Sequence, residues 1–560
     1  MTRHSHHGFS RCSSIALTAL LAALLGTPTS AQVNWSPVPE GYPRTAAELN
    51  GFTAHTRHPE MWDYLEALSG ATTNMRLGTY GQTWEGRDLA YAVFSHPLVS
   101  EPWEAWALGR PVVVLAANVH GGERTFREGL MILMRDFTIP GTEAYALLDN
   151  VTVVVAPQIN PDGFEASERG TRGNAWGIDM NRDYVKLEQP AIVNYVGNII
   201  SKWRPQMFVD GHNGGSRPYN LNYQCPSHAD PDPAITLMCD QEIFPGINAK
   251  LESEGYKGWY YTGGDEEQWR VGGSQARIGR NYGGFVNSVG ILFEAPSQEL
   301  EVGARAGYLG YLSVVEFAAN QTDRLMSVVE NARAETIRMG AEPSGEITVA
   351  MEYEAEDYLV DYEIVRGGGR GAGANEPVEV IQVTGAQLMK KPVALRTRPR
   401  PWAYLLPRDA VDAIAMLQRH GIIVERLSEP TAIEVDAYTV AGVTYEQAYN
   451  HAAATKVEVG EVLTLTETFP TGTYVVPTAQ YLGRLVAHML EPETEDNVVY
   501  WNTMDAWIPR SASAAGGRGG FGGRGGRGGR GGRGGEVRPP IVPIYKLMVP
   551  TPLPTRVIGN

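Results

Sequence analysis

Val112-Val113-Val114-Leu115-Ala116-Ala117-Asn118-Val119-His120-Gly121-Gly122-Glu123 sets six apolar residues against a polar end broken by two glycines. A short apolar run that stops at such a turn reads as a buried strand, and in open α/β sheets ligands bind at the carboxyl ends of the strands. His120 and Glu123, three positions apart on one turn, can aim a neutral imidazole and a carboxylate at one divalent ion, with room for a further imidazole from elsewhere. Twelve histidines in the chain make a lone His-x-x-Glu an easy coincidence. Its meaning depends on what the neighbouring segments deliver.

Around this stretch strand-like and helix-like segments alternate. Helical periodicity over Pro59 to Leu68 precedes apolar runs at Leu89 to Phe94 and Val112 to Ala117. A helix follows over Arg127 to Phe137, then a strand over Val151 to Ala156, a helix over Ile192 to Trp203 and a strand over Met207 to Asp210. This order predicts an α/β sheet with helices on both faces, closed by a long amphipathic stretch from Leu300 to Met339. Beyond Pro343 the composition changes to short β-like runs (Val349 to Tyr362, Val378 to Val383) and one strand-helix-strand unit, Tyr404 to Leu427, with its helix over Asp409 to Gly421. The expected division is a lead over 32–50, a catalytic α/β domain over 51–340 and an α+β domain over 341–560.

Composition narrows the function. Residues 1–31 read as a secretory signal: Arg3 and Arg11, an apolar core from Ile15 to Leu25, and small residues at Thr29-Ser30-Ala31. The apolar core is short for a membrane span. Removing two arginines and no acid takes the formal charge from −16 to −18, which disfavours nucleic-acid binding and suits a secreted or periplasmic protein without stable membrane association. Cys12 leaves with the signal. Cys225 and Cys239 remain, and the sequence leaves open a disulfide loop or two buried thiols. Arg518, Arg524, Arg527, Arg530 and Arg533 lie in Arg-Gly-Gly repeats within 512–537, a tract that cannot bury a core and is expected to be a disordered insertion.

Three further strand ends carry polar groups. Asn160-Pro161-Asp162-Gly163 follows the Val151 to Ala156 run and leads to Arg169, Arg172 and Asp179-Met180-Asn181-Arg182; Phe208-Val209-Asp210-Gly211-His212 ends a third run; Phe293-Glu294 ends a fourth. With these in order, residues 50–330 resemble the zinc metallocarboxypeptidases, the carboxypeptidase A-like enzymes. The resemblance implies an α/β, carboxypeptidase-like mixed sheet flanked by helices, and one Zn²⁺ per chain held by His120, Glu123 and His212. It implies Glu294 as general base and Arg172 as oxyanion stabiliser, the nine-residue interval to Asn181 favouring Arg172 over Arg169. Asn181 and Arg182 would hold the terminal carboxylate of a peptide substrate. His228 is a rival third ligand, placed in a Pro- and Asp-rich loop. Asp210 is expected to orient an imidazole or cap its strand.

The family's mobile tyrosine has no counterpart at Arg270-Val271-Gly272-Gly273; Tyr282 is the candidate substrate-binding tyrosine, with Tyr260 and Tyr261 further back. Arg277 and Arg280 suggest a preference for acidic terminal residues. Two other readings stay open: a zinc amidohydrolase of the same fold acting on acylated amino acids or cell-wall peptides, and a binding protein on an inactive peptidase scaffold.

Overall fold

The computed structural model describes residues 33–366, 379–449, 451–509 and 539–559. The signal-like segment and the Arg-Gly-Gly tract lie outside the described residues.

Up to residue 300 the strands are β1 (Met75–Gln82), β2 (Asp88–Phe94), β3 (Val112–Ala117), β4 (Thr152–Ala156), β5 (Met207–Asn213), β6 (Leu221–Gln224), β7 (Gly258–Tyr260), β8 (Thr262–Gly264), β9 (Gln268–Val271) and β10 (Val289–Ala295). Eight of them form one mixed sheet in the order β1-β2-β4-β3-β5-β10-β6-β7. Its centre, β4-β3-β5-β10, is parallel. Every residue of β3, β4 and β10 is buried, which is why these segments read as unbroken apolar runs rather than alternating ones. Helices over Thr125–Asp136, Pro190–Tyr195 and Leu300–Asn320 flank the sheet. The long amphipathic stretch is two helices, Leu300–Asn320 and Thr322–Ala341, broken at Gln321.

A long ribbon follows, β11 (Glu346–Arg366) against β12 (Glu379–Pro399). It builds a second sheet in the order β11-β12-β9-β8, so its inner strand pairs with residues 268–270 of the preceding region. The third sheet contains β13 (Ala403–Leu406), β14 (Val424–Leu427), β15 (Thr431–Tyr445), β16 (Thr455–Phe469), β17 (Tyr474–Pro477), β18 (Tyr545–Leu547) and β19 (Thr555–Ile558) in the order β16-β15-β18-β13-β17-β14-β19. The strand-helix-strand unit expected at Tyr404 to Leu427 is present, with its helix over Val411–Arg419. One apolar cluster runs from Val114, Tyr184 and Tyr282 to Tyr404, Leu417 and Met489, so the regions either side of residue 341 share a core.

The sheet order puts the carboxyl ends of β3, β5 and β10 side by side. Ala117 is in register with Gly211, and His212 with Glu294. Three segments far apart in the chain thus present their polar ends at one sheet edge.

Candidate metal centre and active site

The loop after β3 is shaped by its own side chains. Asn118 takes a left-handed backbone (φ 62°), which Asn tolerates better than most residues. Its side-chain amide donates to the carbonyls of His120 (2.9 Å), Gly121 (3.2 Å) and Glu123 (2.8 Å), folding the loop back on itself. The Asn-Pro-Asp-Gly turn packs directly against it. Asn160 caps the helix Pro161–Glu165 by accepting the Gly163 N–H, and its amide donates to the Val119 carbonyl (3.2 Å). A Cβ on Gly121 would fall 2.1 Å from the Gly163 carbonyl carbon, so the close approach of loop and turn requires glycine there.

His120, Glu123 and His212 converge. Glu123 Oε2 lies 2.8 Å from both His120 Nδ1 and His212 Nδ1, and the two Nδ1 atoms are 3.2 Å apart. On the far side of each ring, His120 Nε2 donates to Asp179 Oδ1 and His212 Nε2 donates to Asp210 Oδ2, both at 2.9 Å. Asp210 and His212 are two apart on β5 and so share a face. A carboxylate only accepts, so each Nε2 carries a proton, and in the neutral ring that a metal ligand requires the Nδ1 lone pair then faces the cluster. Burial pushes the Glu123 carboxyl up, but the His120 and His212 rings outweigh it and hold it well below the usual range. At Asp179 burial is likewise outweighed, by His120 and Arg172.

Glu294 closes β10, is 7 % exposed, and lines the same cleft with its Oε2 buried and unpartnered. Burial raises its carboxyl to about 7, against the lowering effect of His212 and with the Glu123 charge adding to the rise. A Cβ on Gly214 would lie 2.5 Å from that oxygen, so the absence of a side chain there makes room for it. Arg172 reaches the cluster, with Nη1 3.2 Å from Glu123 Oε1 and Nη2 3.0 Å from Asp179 Oδ2. Asn181 is fixed by accepting the Gly279 N–H (2.9 Å). Arg182 is half-buried, donates to the Asn181 carbonyl (2.8 Å), and lines the cleft, whose volume is about 690 Å³.

Residues 61–242 match the zinc carboxypeptidase family model. This match marks residues 61–242, about a third of the chain, as a zinc carboxypeptidase domain. Carboxypeptidase 2 of Trichophyton equinum is 24% identical over 530 residues, covering 88% of this chain and 92% of that protein. Carboxypeptidase D of Drosophila melanogaster is 32% identical over 157 residues, 24% of this chain and 10% of that protein. A metallo-carboxypeptidase from Pseudomonas aeruginosa, solved with (2-guanidinoethylmercapto)succinic acid, has a TM-score of 0.38 and 20% identity, over 48% of this chain and 69% of its own. The matched segment contains six of the expected site residues; Glu294 and Tyr282 lie beyond it. The family is zinc-dependent, and two imidazole nitrogens with one carboxylate oxygen, converging on one point with both rings oriented by carboxylates, fit that ion.

Tyr282 does not reach this cleft. It is 1 % exposed, tilts against the Tyr184 ring, and donates its hydroxyl to His420 Nδ1 (3.0 Å). The helix Gly279–Phe285 turns position 282 inward toward the shared core. Tyr261 is the tyrosine that lines the cleft, its hydroxyl raised to about 12 by burial and by the Glu294 charge. Its position depends on a non-local hydrogen bond, Tyr261 N–H to the Tyr223 carbonyl (2.9 Å), which no local pattern signals. Arg169 is exposed and does not line the cleft.

His228 belongs to a different group with Asp230 and His488. There its Nδ1 accepts the Asp230 N–H (3.1 Å), which leaves the ring proton on Nε2, and Arg484 donates to the Asp230 carbonyl (2.5 Å). The arginine and the tautomer both disfavour a cation. Cys225 and Cys239 form a disulfide, with Cα atoms 6.4 Å apart. No helix among the described residues is long and apolar enough to cross a membrane.

Proposed function

We propose that this chain is a secreted zinc metallocarboxypeptidase that removes the terminal residue of peptides bearing a free carboxylate. The observation that carries the reading is the convergence of His120 Nδ1, His212 Nδ1 and Glu123 Oε2 within 3.2 Å of one another, in the same cleft as the partnerless Glu294 oxygen. The donor set suits one ion per chain with an open coordination position. Zinc held by His120, Glu123 and His212 would supply Lewis acidity for the scissile carbonyl and for the attacking water.

The chain's own groups do the rest. Glu294, raised toward neutrality by burial, takes the proton of the attacking water and hands it to the departing amine. Arg172 stabilises the oxygen that becomes negative at the scissile carbonyl. Arg182 pairs with the terminal carboxylate, and Asn181 lines the same cleft. Tyr261 offers a neutral hydroxyl in the cleft. Asp179 and Asp210 keep the two imidazoles turned with their lone pairs inward. We assign 51–340 as the catalytic domain and 341–560 as an α+β region joined to it through the shared core. Secretion is supported by the signal-like leader and by the disulfide, a bond favoured in oxidising compartments.

The experiment is release of a free amino acid from an N-blocked dipeptide. Turnover should vanish with a chelator, return with zinc, and be absent for the amidated substrate. Hydrolysis of the amide at a comparable rate would favour the amidohydrolase reading instead.

A further inference from the structure

Three arginines line the cleft, and they differ in what they are bound to. Arg172 is held by Glu123 and Asp179. Arg182, half-buried, has the role of meeting the terminal carboxylate under the proposed function. Arg280 has no such assignment. It is on the first turn of the helix Gly279–Phe285 and is only 3 % exposed, yet it lines the cleft. Its Nη2 donates to the Gly273 carbonyl (2.5 Å), and its Nε is buried without a partner. Among the described residues no carboxylate lies within ion-pair distance of it.

Arg277, three positions earlier, shows what a satisfied guanidinium looks like in the same segment. It forms an ion pair with Asp496 (2.8 Å) and stacks over the rings of Tyr500 (4.9 Å) and Trp501 (4.8 Å). That side chain is committed to the region beyond residue 341. A guanidinium kept out of water without an anion is unfavourable, and the cost is relieved when a ligand brings a carboxylate that the planar fork can engage.

We propose that Arg280 makes the cleft select peptides with an acidic terminal residue, taking the side-chain carboxylate of a terminal Glu or Asp while Arg182 takes the α-carboxylate. This rests on the carboxypeptidase reading. Gly273, whose carbonyl holds the guanidinium in place, also lines the cleft, as does its neighbour Gly272, so no side chain from these two positions stands between Arg280 and the cleft. A terminal Lys or Arg meets a like charge in a partly water-excluded site and is rejected. The Tyr353 hydroxyl donates to the Gly272 carbonyl (3.2 Å), so the ribbon β11–β12 braces this wall from behind.

The test compares kcat/KM of the zinc-loaded full chain on N-blocked dipeptides that share a penultimate residue and end in Glu, Asp, Phe or Lys. The acidic substrates should exceed Phe by at least about tenfold and Lys by about a hundredfold, as expected when one charge-assisted hydrogen bond forms or one like charge is met. In Arg280→Gln the Glu-to-Phe ratio should fall at least about tenfold, through KM for the acidic substrates, and Arg280→Lys should restore part of it. Free glutamate should raise the melting temperature of the wild-type chain more than equal concentrations of phenylalanine or lysine. That readout needs neither turnover nor a folded variant. Equal rates on all four substrates, a preference for Phe or Lys, or a Glu preference unchanged in Arg280→Gln would overturn the proposal while leaving the carboxypeptidase reading intact. No release from any of the four would overturn that reading, and this proposal with it.

Discussion

His120 Nδ1 and His212 Nδ1 face each other at 3.2 Å, and each lies 2.8 Å from the same oxygen of Glu123. In the neutral rings, with each proton committed to Asp179 or Asp210, three electron-rich atoms meet at one point, an arrangement that a cation relieves. The two aspartates are therefore part of the site although neither belongs to the converging donor set. Asp210→Ala should weaken zinc binding by about 10–100-fold while the circular dichroism spectrum is unchanged; competition with a chromophoric chelator measures it. Unaltered affinity would mean that the Asp210 contact does not orient the ring.

Glu294 is the proton carrier in this account and holds no metal. Glu294→Gln should lower kcat by about 10²–10⁴-fold, the usual worth of a positioned general base. Zinc content and KM should change little. Steady-state kinetics beside elemental analysis separates this outcome from loss of the metal.

In the proposed function, Arg182 distinguishes a terminal residue from an internal one. Arg182→Ala should reduce kcat/KM on a free-carboxylate dipeptide by about 10–100-fold, as expected for the loss of one hydrogen-bonded ion pair. The amidated analogue, which makes no such pair, should be turned over by neither form. The quantity to measure is kcat/KM of the wild type and of the variant on the free-carboxylate dipeptide.

His420 joins the two regions. It accepts the Tyr282 hydroxyl at Nδ1 (3.0 Å) and donates Nε2–H to the Val185 carbonyl (2.8 Å), so both ring nitrogens are satisfied only in the neutral form. Burial lowers its pKa to about 4 against a partial opposing effect of the Val185 carbonyl. Between that value and the ordinary 6.5 the unfolded chain binds a proton that the folded chain refuses. The contribution is thus present above pH 6.5 and is lost as the pH falls toward 4, amounting to about 3 kcal/mol over the window. Melting temperatures from pH 7 to 5 should fall more steeply for the wild type than for His420→Asn.

The Cys225–Cys239 bridge closes a loop with a sequence separation of 14. Chain-entropy reasoning gives about 3 kcal/mol for a loop of this length. Mild reduction, or Cys225→Ser with Cys239→Ser, should lower the melting temperature by several degrees, measured by differential scanning calorimetry.

Much of the site is legible in the sequence because its groups sit where strands end. His120, His212 and Glu294 each follow an apolar run that reads as a buried strand, and the parallel order β3-β5-β10 then aligns those ends without further information. Tyr282 is misplaced by sequence reasoning for a reason of the same kind. Position along the chain does not say which side of a short helix faces the cleft, and the core contact that takes it inward involves His420, 138 residues away. Tyr261 depends on a pairing with Tyr223 that no local pattern encodes, and the role of Asp179 depends on a ring 59 residues distant. The same limit applies to Arg277 and Arg280. They are alike in sequence, and the Asp496 carboxylate, 219 residues away, is what neutralises one and not the other.

The most direct test of the metal centre is elemental analysis of the purified full chain after dialysis against limiting zinc. The expected result is one zinc per chain for the wild type and less than a tenth of that for His212→Ala and Glu123→Ala, with folding verified by circular dichroism. Full zinc occupancy in either variant, or none in the wild type at a zinc concentration that restores no activity, would contradict the account.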